Sequence, residues 1–260
     1  MITTYRRPKT FDKAISLLSD KSLNAVALAG GTFIKDFSDK PITVVDLQAL
    51  GLDVVEVVNQ EVEAGSMVTM QKLRESDAAN NALRRAIMLE AGKNVCNTMT
   101  LAGHLASCDG RSPLTTALLA LDVSMTWQPG NIRVQLGDHL PVRSHESPGL
   151  FISGLSWKHD ICLTFEYVAR SPLDRPIVCV ALAQWPSGRT RLALGGYGNA
   201  PIIAFDGPEP AGIEYAAKNA FYDADDEWAS AEYRQEVAVT LARRCLDYIQ
   251  APQISEGEVQ

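Results

Sequence analysis

The feature of this sequence that most restricts its fold is a helical apolar pattern followed by two short apolar runs. The first of these runs ends at paired glycines. Thr10 precedes a segment, FDKAISLLSD, whose apolar residues fall on one helical face. An apolar run at 25–29 ends at Gly30-Gly31, and a second run covers 42–47. Continuous apolar runs of this length are typical of strands buried on both faces of a parallel sheet. The pattern therefore predicts a small parallel β-α-β-turn-β unit within the first fifty residues.

Strands and helices are predicted for most of the remaining chain. The loop-like stretch 137–149, with two prolines and two glycines, is the best candidate for a domain boundary. Beyond it, alternating apolar residues and a Pro-Ser-Gly turn predict an antiparallel hairpin. The predicted strands lie within 53–68, 123–127, 131–136, 161–168, 176–185, 190–196 and 200–205, and the predicted helices at 70–76, 80–90, 113–121, 209–221 and 230–250.

Composition and charge restrict the class of protein. Of the 260 residues, 46% are hydrophobic and 21% are charged, which is typical of a soluble globular chain. The net charge of -7 disfavours a nucleic-acid or anionic-membrane surface. No apolar run approaches the roughly 20 residues that span a bilayer, and the amino terminus has no apolar secretory core. We therefore expect a cytoplasmic protein without a membrane span and without a nucleic-acid partner.

The cysteines and histidines do not show the spacing of a metal site or a disulfide framework. The five cysteines include no CxxC pair, and the four histidines include no HExxH pattern. An odd number of widely spaced cysteines is typical of a reducing compartment. Cys108 is interpreted as a small packed residue rather than a nucleophile. No metal ligand and no catalytic residue is predicted in this chain.

The first segment whose residues suit ligand binding is LAGGTFI at 28–34, which we call the first loop. It places Gly30-Gly31 at the end of a predicted strand, where successive backbone N–H groups can bind a phosphate. Thr32 adds a hydroxyl donor. The alternative interpretation is a plain chain reversal without a ligand.

A second segment, 91–107, is rich in small polar residues, and NTMTLAGH at 97–104 within it is called the second loop. Small residues let the backbone approach a ligand, and hydroxyls and amides supply hydrogen bonds. The alternative is an irregular surface loop.

Asp109 is interpreted as a solvated turn residue, or as an acceptor for ribityl or ribose hydroxyls. A third glycine segment, 195–198, precedes a strand rather than a helix, and is predicted to be a turn between strands.

These motifs, in their order and spacing, resemble the FAD-binding subunit of the molybdenum hydroxylases, the family of xanthine dehydrogenase and aerobic carbon monoxide dehydrogenase. The first loop resembles the family's AGGT followed by an apolar pair, and the second loop resembles N-x-A-T-I-G-G-N. Further on, RLALGGYGNAPIIA resembles RIALGGVAPTPVRA, and ASAEYRQEVAVTLARRCL resembles the closing helix. The resemblance covers nearly the whole chain.

The resemblance implies an α+β fold of the vanillyl-alcohol-oxidase-like type. A FAD-binding domain would occupy 1–155, with two α/β subdomains at about 1–52 and 53–155. An α+β domain with a small antiparallel sheet and helices would follow at 156–252, and a polar tail at 253–260.

The resemblance also implies a cofactor, partners and site residues. The chain would bind FAD and assemble with an iron–sulfur subunit and a molybdopterin-binding subunit. Electrons would pass from the iron–sulfur clusters through FAD to NAD or another acceptor. The implied cofactor-binding residues are Leu28, Ala29, Gly30, Gly31, Thr32, Phe33, Ile34, Thr98, Thr100, Gly103, His104, Ser107 and Asp109.

Three positions depart from the family pattern: Ala102 and His104 replace Gly and Asn, and Pro113 stands near a usual Asp. They motivate an alternative, a structural or assembly subunit of the same architecture that has lost flavin. A different class, a free-standing small-molecule-binding or nucleotide-binding α/β protein with no redox partner, is the third interpretation.

Overall fold

Three sheets organise the residues that the computed structural model describes, which are 2–32, 41–143, 149–172 and 174–251. The strands are β1 (Ile2–Arg6), β2 (Ala25–Leu28), β3 (Ile42–Asp46), β4 (Val55–Val58), β5 (Glu61–Gly65), β6 (Ser124–Gln128), β7 (Ile132–Gln135), β8 (Phe151–Lys158), β9 (Cys162–Val168), β10 (Val178–Gln184), β11 (Thr190–Gly195) and β12 (Ile202–Gly207). The helices are α1 (Phe11–Leu18), α2 (Met70–Glu75), α3 (Asn81–Glu90), α4 (Lys93–Cys96), α5 (Leu101–Ser107), α6 (Pro113–Ala120), α7 (Leu136–His139), α8 (Ile213–Ala220) and α9 (Ala231–Gln250).

The first sheet is parallel, with the strand order β1-β3-β2, and α1 packs against it. Thr10 caps α1, because its side chain accepts a hydrogen bond from the N–H of Lys13. This unit confirms the predicted parallel β-α-β-turn-β arrangement. The prediction that both apolar strands are buried on two sides holds for β3, whose five residues are all buried, and is wrong for β2. β2 is an edge strand, and Val26 on it is 39% exposed.

The second sheet is antiparallel, with the strand order β4-β5-β8-β6-β7. Its buried face and the helices α2, α3, α5 and α6 share one large apolar core. This core fixes the position of the second loop, since α5 contributes Leu101 and Leu105 to it.

The third sheet, with the order β12-β11-β10-β9, is antiparallel and lies between two apolar cores. Alternate residues of β10 point to opposite sides, as expected for a strand covered on both faces. Val178, Val180 and Leu182 pack against α8 and α9, whereas the intervening residues pack toward α6. All eight residues of α6 are buried, so this helix joins the third sheet to the large core.

Three parts of the predicted pattern differ from the structure. No strand was predicted where β8 lies. The segment 91–112 contains two short helices, α4 and α5, and is not an irregular surface loop. The predicted boundary loop 137–149 begins with α7 and a short 3-10 turn, Leu140–Val142. β8, which crosses the predicted boundary at 155, belongs entirely to the second sheet.

Candidate functional site

The first loop packs directly against the second loop at Gly30. A Cβ atom added to Gly30 would lie 1.9 Å from the carbonyl oxygen of Thr98 and 3.3 Å from the Cα of Met99. Only glycine lets the two backbones approach so closely. Gly31 has a φ of +71°, in the left-handed region that favours glycine. The glycine pair therefore has two different structural roles, a close approach and a turn.

Backbone hydrogen bonds fix the second loop to α2 and to the segment between β5 and α2. The N–H of Met70 donates to the carbonyl of Met99 over 3.0 Å, and the N–H of Leu101 donates to the carbonyl of Val68 over 2.9 Å. Thr100 caps α5, because its hydroxyl accepts from the N–H of Gly103 over 3.2 Å. The small polar residues of 91–107 therefore include caps of short helices, which explains why the irregular-loop interpretation was wrong.

A groove of about 380 Å³ lies where the two loops meet the carboxyl ends of the parallel strands. We refer to this cavity as the groove. Four predicted residues line it: Ala29, Gly30, Thr98 and Thr100. The lining residues that the sequence did not predict are Arg7, Gln48, Asp53, Met67, Thr69 and Asn97.

Two charged side chains line the groove, and each lies close to a side chain of opposite charge. The Nε of Arg7 lies 3.5 Å from the carboxylate of Asp46, which is buried at the end of β3. The carboxylate of Asp53 lies 3.6 Å from Lys72. Strand-end position is the signal that would have identified Arg7 and Gln48, since both follow strands of the parallel sheet.

Other predicted residues do not line the groove. Leu28 ends β2, and its carbonyl accepts from the N–H of Leu47 over 3.1 Å. Thr32 is exposed. Gly103 is half-buried, and a Cβ atom added there would lie 3.9 Å from the Cβ of Ala29. Ser107 donates a hydrogen bond to the carbonyl of Gly103 over 2.8 Å.

Phe33 and Ile34, also predicted as site residues, lie outside the residues that the structure describes.

The structure does not bring the side chain of His104 to the groove. Its ring is 2% exposed, and its Nε2 lies 3.0 Å from the hydroxyls of both Ser112 and Thr115. Burial lowers the pKa of His104, although the carboxylate of Glu90, 3.8 Å away, opposes this. The imidazole is therefore a neutral member of a buried polar network between α3, α5 and α6. The side chain of His104 makes core contacts and does not line the groove, because this position of α5 faces inward.

Asp109 lies exposed in a turn, as predicted, and it also has a charged partner. It is not simply solvated, because both of its carboxylate oxygens accept hydrogen bonds from the guanidinium of Arg175. Partial burial raises the pKa of this carboxyl, but the hydrogen bonds from Arg175 and from the N–H of Arg111 outweigh burial and leave the pKa lowered. Asp109 thus links the segment after α5 to the loop before β10.

The third glycine segment is a turn between β11 and β12, as predicted, and it also packs against the chain after α5. The N–H of Gly110 donates to the carbonyl of Gly198 over 3.0 Å, and the N–H of Gly196 donates to the carbonyl of Gly110 over 2.7 Å. A Cβ atom added to Gly110 would lie 1.8 Å from the carbonyl oxygen of Tyr197. Cys108 next to it is buried, which confirms its interpretation as a packed residue.

No helix in the described ranges has the length and apolar character needed to cross a bilayer. Within the same ranges, no three His, Cys, Asp or Glu side chains come together as a set of metal ligands.

Comparisons with known proteins give one family and one fold. Residues 1–146 match the family described as the FAD binding domain in molybdopterin dehydrogenase. The uncharacterized protein YgfM of Escherichia coli is 27% identical over 248 residues, which cover 93% of this chain and 94% of that protein.

Two solved structures share the fold over nearly their whole length. The reconstituted CO dehydrogenase from Oligotropha carboxidovorans has a TM-score of 0.79 and 22% identity, covering 95% of this chain and 98% of that one. The quinoline 2-oxidoreductase from Pseudomonas putida 86 has a TM-score of 0.76 and 20% identity, covering 95% and 96%. The mixed helix-and-sheet arrangement described above is therefore an architecture already seen in solved proteins.

Proposed function

Because the chain belongs to the family of FAD-binding domains of molybdopterin dehydrogenases, we propose that it is the electron-transfer subunit of a molybdenum hydroxylase complex. The family match confirms the predicted family, the predicted cofactor FAD and the assignment to an oxidoreductase. The proposal goes further, to the partners and to the path of the electrons. The observation that carries it is the family match over 1–146, which includes both loops and the groove.

The residues at the groove fit a flavin dinucleotide. Gly30 and Gly31 provide the close backbone approach and the turn that a phosphate-binding loop needs. The side chains of Asn97 and Thr98 supply polar groups, and Arg7 supplies a positive charge. A volume of about 380 Å³ lies within the range of small-molecule sites, roughly 300–1,000 Å³.

The role of this chain is to hold and orient the flavin. FAD, when bound, supplies the redox chemistry, since it can exchange one or two electrons. In the proposal, the electrons come from an iron–sulfur subunit that receives them from a molybdopterin-binding subunit, and leave to NAD or another acceptor. The fold shared with a CO dehydrogenase and a quinoline 2-oxidoreductase supports this placement.

The domain organisation remains part of the proposal. A vanillyl-alcohol-oxidase-like FAD-binding domain at 1–155 would contain the first two sheets, and a C-terminal domain at 156–252 would contain the third. Because β8 ends at Lys158 and β9 starts at Cys162, the change of sheet occurs between these residues. The boundary of the proposed domains is best placed there.

The flavin-less alternative rests on Ala102, His104 and Pro113, and none of the three lines the groove. Ala102 packs against the large core, the ring of His104 is buried, and Pro113 is the buried first residue of α6. Their side chains therefore do not obstruct the groove.

Co-purification tests the proposed partners. The tagged chain, co-expressed with iron–sulfur and molybdopterin subunits from the same organism, should form a complex whose flavin is reduced when the substrate of the molybdenum subunit is added. A chain that binds FAD but captures neither subunit would contradict the proposed complex. A chain that captures both subunits but carries no flavin would favour the structural or assembly role.

A further inference from the structure

A second cavity, of about 270 Å³, lies on the second sheet, and all five strands of that sheet contribute residues to it. We call it the sheet cavity. Gly65 and Gly154, which are paired on β5 and β8, leave the surface of the sheet without side chains at this point. Leu52 and Val54 also line the sheet cavity, whereas Asp53 between them lines the groove. No described residue lines both, so the two cavities are separate.

Two glutamates line the sheet cavity and lie directly opposite each other. Glu56 on β4 pairs with Glu63 on β5 in the antiparallel register. Residues paired in this way have Cβ atoms about 4.5–5.5 Å apart, and like charges at such positions destabilise a sheet. Both glutamates are exposed, and neither forms a hydrogen bond or an ion pair within the described ranges. The sheet therefore carries two neighbouring negative charges without a paired cation in the described part of the chain.

The third glutamate on this face of β5, Glu61, does have cationic partners. Its carboxylate lies 3.4 Å from the Nζ of Lys158 and 3.9 Å from a terminal nitrogen of Arg133. Arg133 also lines the sheet cavity, but its charge is directed to Glu61. The carboxylates of Glu56 and Glu63 therefore remain available to a cation from outside the chain.

Ser156 adds a buried hydroxyl to the same row of side chains. It pairs with Glu63 from the β8 side, lines the sheet cavity and is only 7% exposed. Among the described residues its hydroxyl has no hydrogen-bond partner. Because a buried hydroxyl without a partner is costly, this position favours a ligand that supplies a hydrogen bond.

We infer that the sheet cavity binds a small amine through its primary ammonium group. An ammonium has three N–H donors, and Glu56, Glu63 and Ser156 offer three neighbouring acceptors. Leu52 and Val54 supply apolar surface for a short carbon chain. The volume lies just below the usual range for small-molecule sites, roughly 300–1,000 Å³, so the ligand is a compact amine. This site goes beyond the proposed function, because it is separate from the groove.

A primary ammonium fits these residues better than a divalent metal ion. Ca²⁺ and Mg²⁺ take roughly six or more oxygen ligands. Among the described residues, no three His, Cys, Asp or Glu side chains form a ligand set. The carboxylates of Glu56 and Glu63 are the only acidic groups that line the sheet cavity within the described part of the chain.

Titration of the full chain with n-pentylammonium chloride tests the inference. Isotope-labelled protein is titrated near neutral pH, where the amine is protonated, and the backbone amide signals are followed by NMR at constant ionic strength. We expect saturable shifts at 51–56, 63–65 and 154–156, with a dissociation constant of about 0.1–1 mM. The uncharged 1-pentanol, which has the same size, should bind about 10-fold more weakly or not at all.

Three variants separate ligand binding from folding. Glu63→Gln should weaken binding of pentylammonium about 5- to 10-fold, and Ser156→Ala about 3-fold. Glu232→Gln makes the same change of charge at an exposed position of α9, outside the sheet cavity, and should leave the affinity unchanged. In thermal unfolding without ligand, Glu63→Gln should be at least as stable as the wild type, because it removes the repulsion from Glu56.

Equal affinity of Glu63→Gln and Glu232→Gln for pentylammonium overturns the inference. Equal binding of pentanol and pentylammonium also overturns it, since the charge would then have no role. So do amide shifts confined to residues outside the sheet cavity, or the absence of any saturable shift. None of these outcomes changes the flavin content of the chain, so the proposed function is tested separately.

Discussion

At the scale of single residues, the contact between Gly30 and Thr98 determines whether the two loops can meet. A methyl group at position 30 would overlap the carbonyl oxygen of Thr98, with 1.9 Å between the two atoms. Gly30→Ala should therefore separate the loops, lower the free energy of unfolding by about 1–3 kcal/mol and prevent retention of FAD. The measurements are urea unfolding and the flavin content after desalting.

Gly92→Ala is the matched control for this variant. Gly92 lies just before the second loop, has no positive φ, and has no atom within 4 Å of an added Cβ. Retained FAD and unchanged stability in Gly30→Ala would show that the close approach of the loops is unimportant.

His104 gives a prediction about pH. The pKa of its buried ring is lowered in the folded protein, so below about pH 6.5 the unfolded chain binds a proton that the folded chain does not. The free energy of unfolding of the wild type should therefore decrease as the pH falls below that value. His104→Asn, which removes the titrating ring, should show a smaller decrease. Equal pH dependence of the two proteins in urea unfolding would contradict the buried neutral state.

The residues of the groove were predicted only where the sequence carries a local signal. Gly30 and Thr98 lie in segments whose composition is unusual, so they were identified before the fold was known. Arg7 and Gln48 look like ordinary surface residues in the sequence, because their significance comes from the strand order β1-β3-β2. The burial of the His104 side chain could not be predicted, because spacing alone does not show which face of a short helix is buried.

At the scale of helices and strands, most of the fold was predictable and the second loop was not. The helices α3, α6 and α9 have recognisable caps, and they and the hairpin β10–β11 occur where predicted. The helices α4 and α5 have four and seven residues, too few for a periodic apolar pattern. Tertiary hydrogen bonds and Thr100 stabilise the start of α5, and these contacts cannot be read from composition.

The contact between Gly110 and the β11–β12 turn yields a prediction at this scale. Gly110→Ala would place a methyl group 1.8 Å from the carbonyl of Tyr197, so the turn must move away. We expect faster hydrogen exchange at 108–112 and 195–199 and a free energy of unfolding lower by about 1–3 kcal/mol. Gly154→Ala is the control, since its added Cβ would have an ordinary 3.4 Å contact with Ala64. Similar hydrogen-exchange rates at 108–112 and 195–199 in both variants would show that the contact with the turn does not stabilise this segment.

At the scale of the whole molecule, α6 connects the predicted cofactor region with the C-terminal sheet. Its preceding residue, Ser112, bonds His104 on α5 and Glu90 on α3, while α6 itself packs against β10. The resemblance of the sequence to a flavoprotein family identified the cofactor, but it did not reveal this connection. Residues far apart in sequence form the network, and no local pattern marks them.

The central claim, that this chain carries FAD, is tested most directly by the flavin content of the purified protein. The protein is desalted, the bound flavin is released by heat and identified by chromatography, and its amount is compared with the amount of chain. The account predicts FAD at one molecule per chain, with the flavin lost in Gly30→Ala and kept in Gly92→Ala. A colourless wild-type protein that also fails to take up added FAD would contradict it.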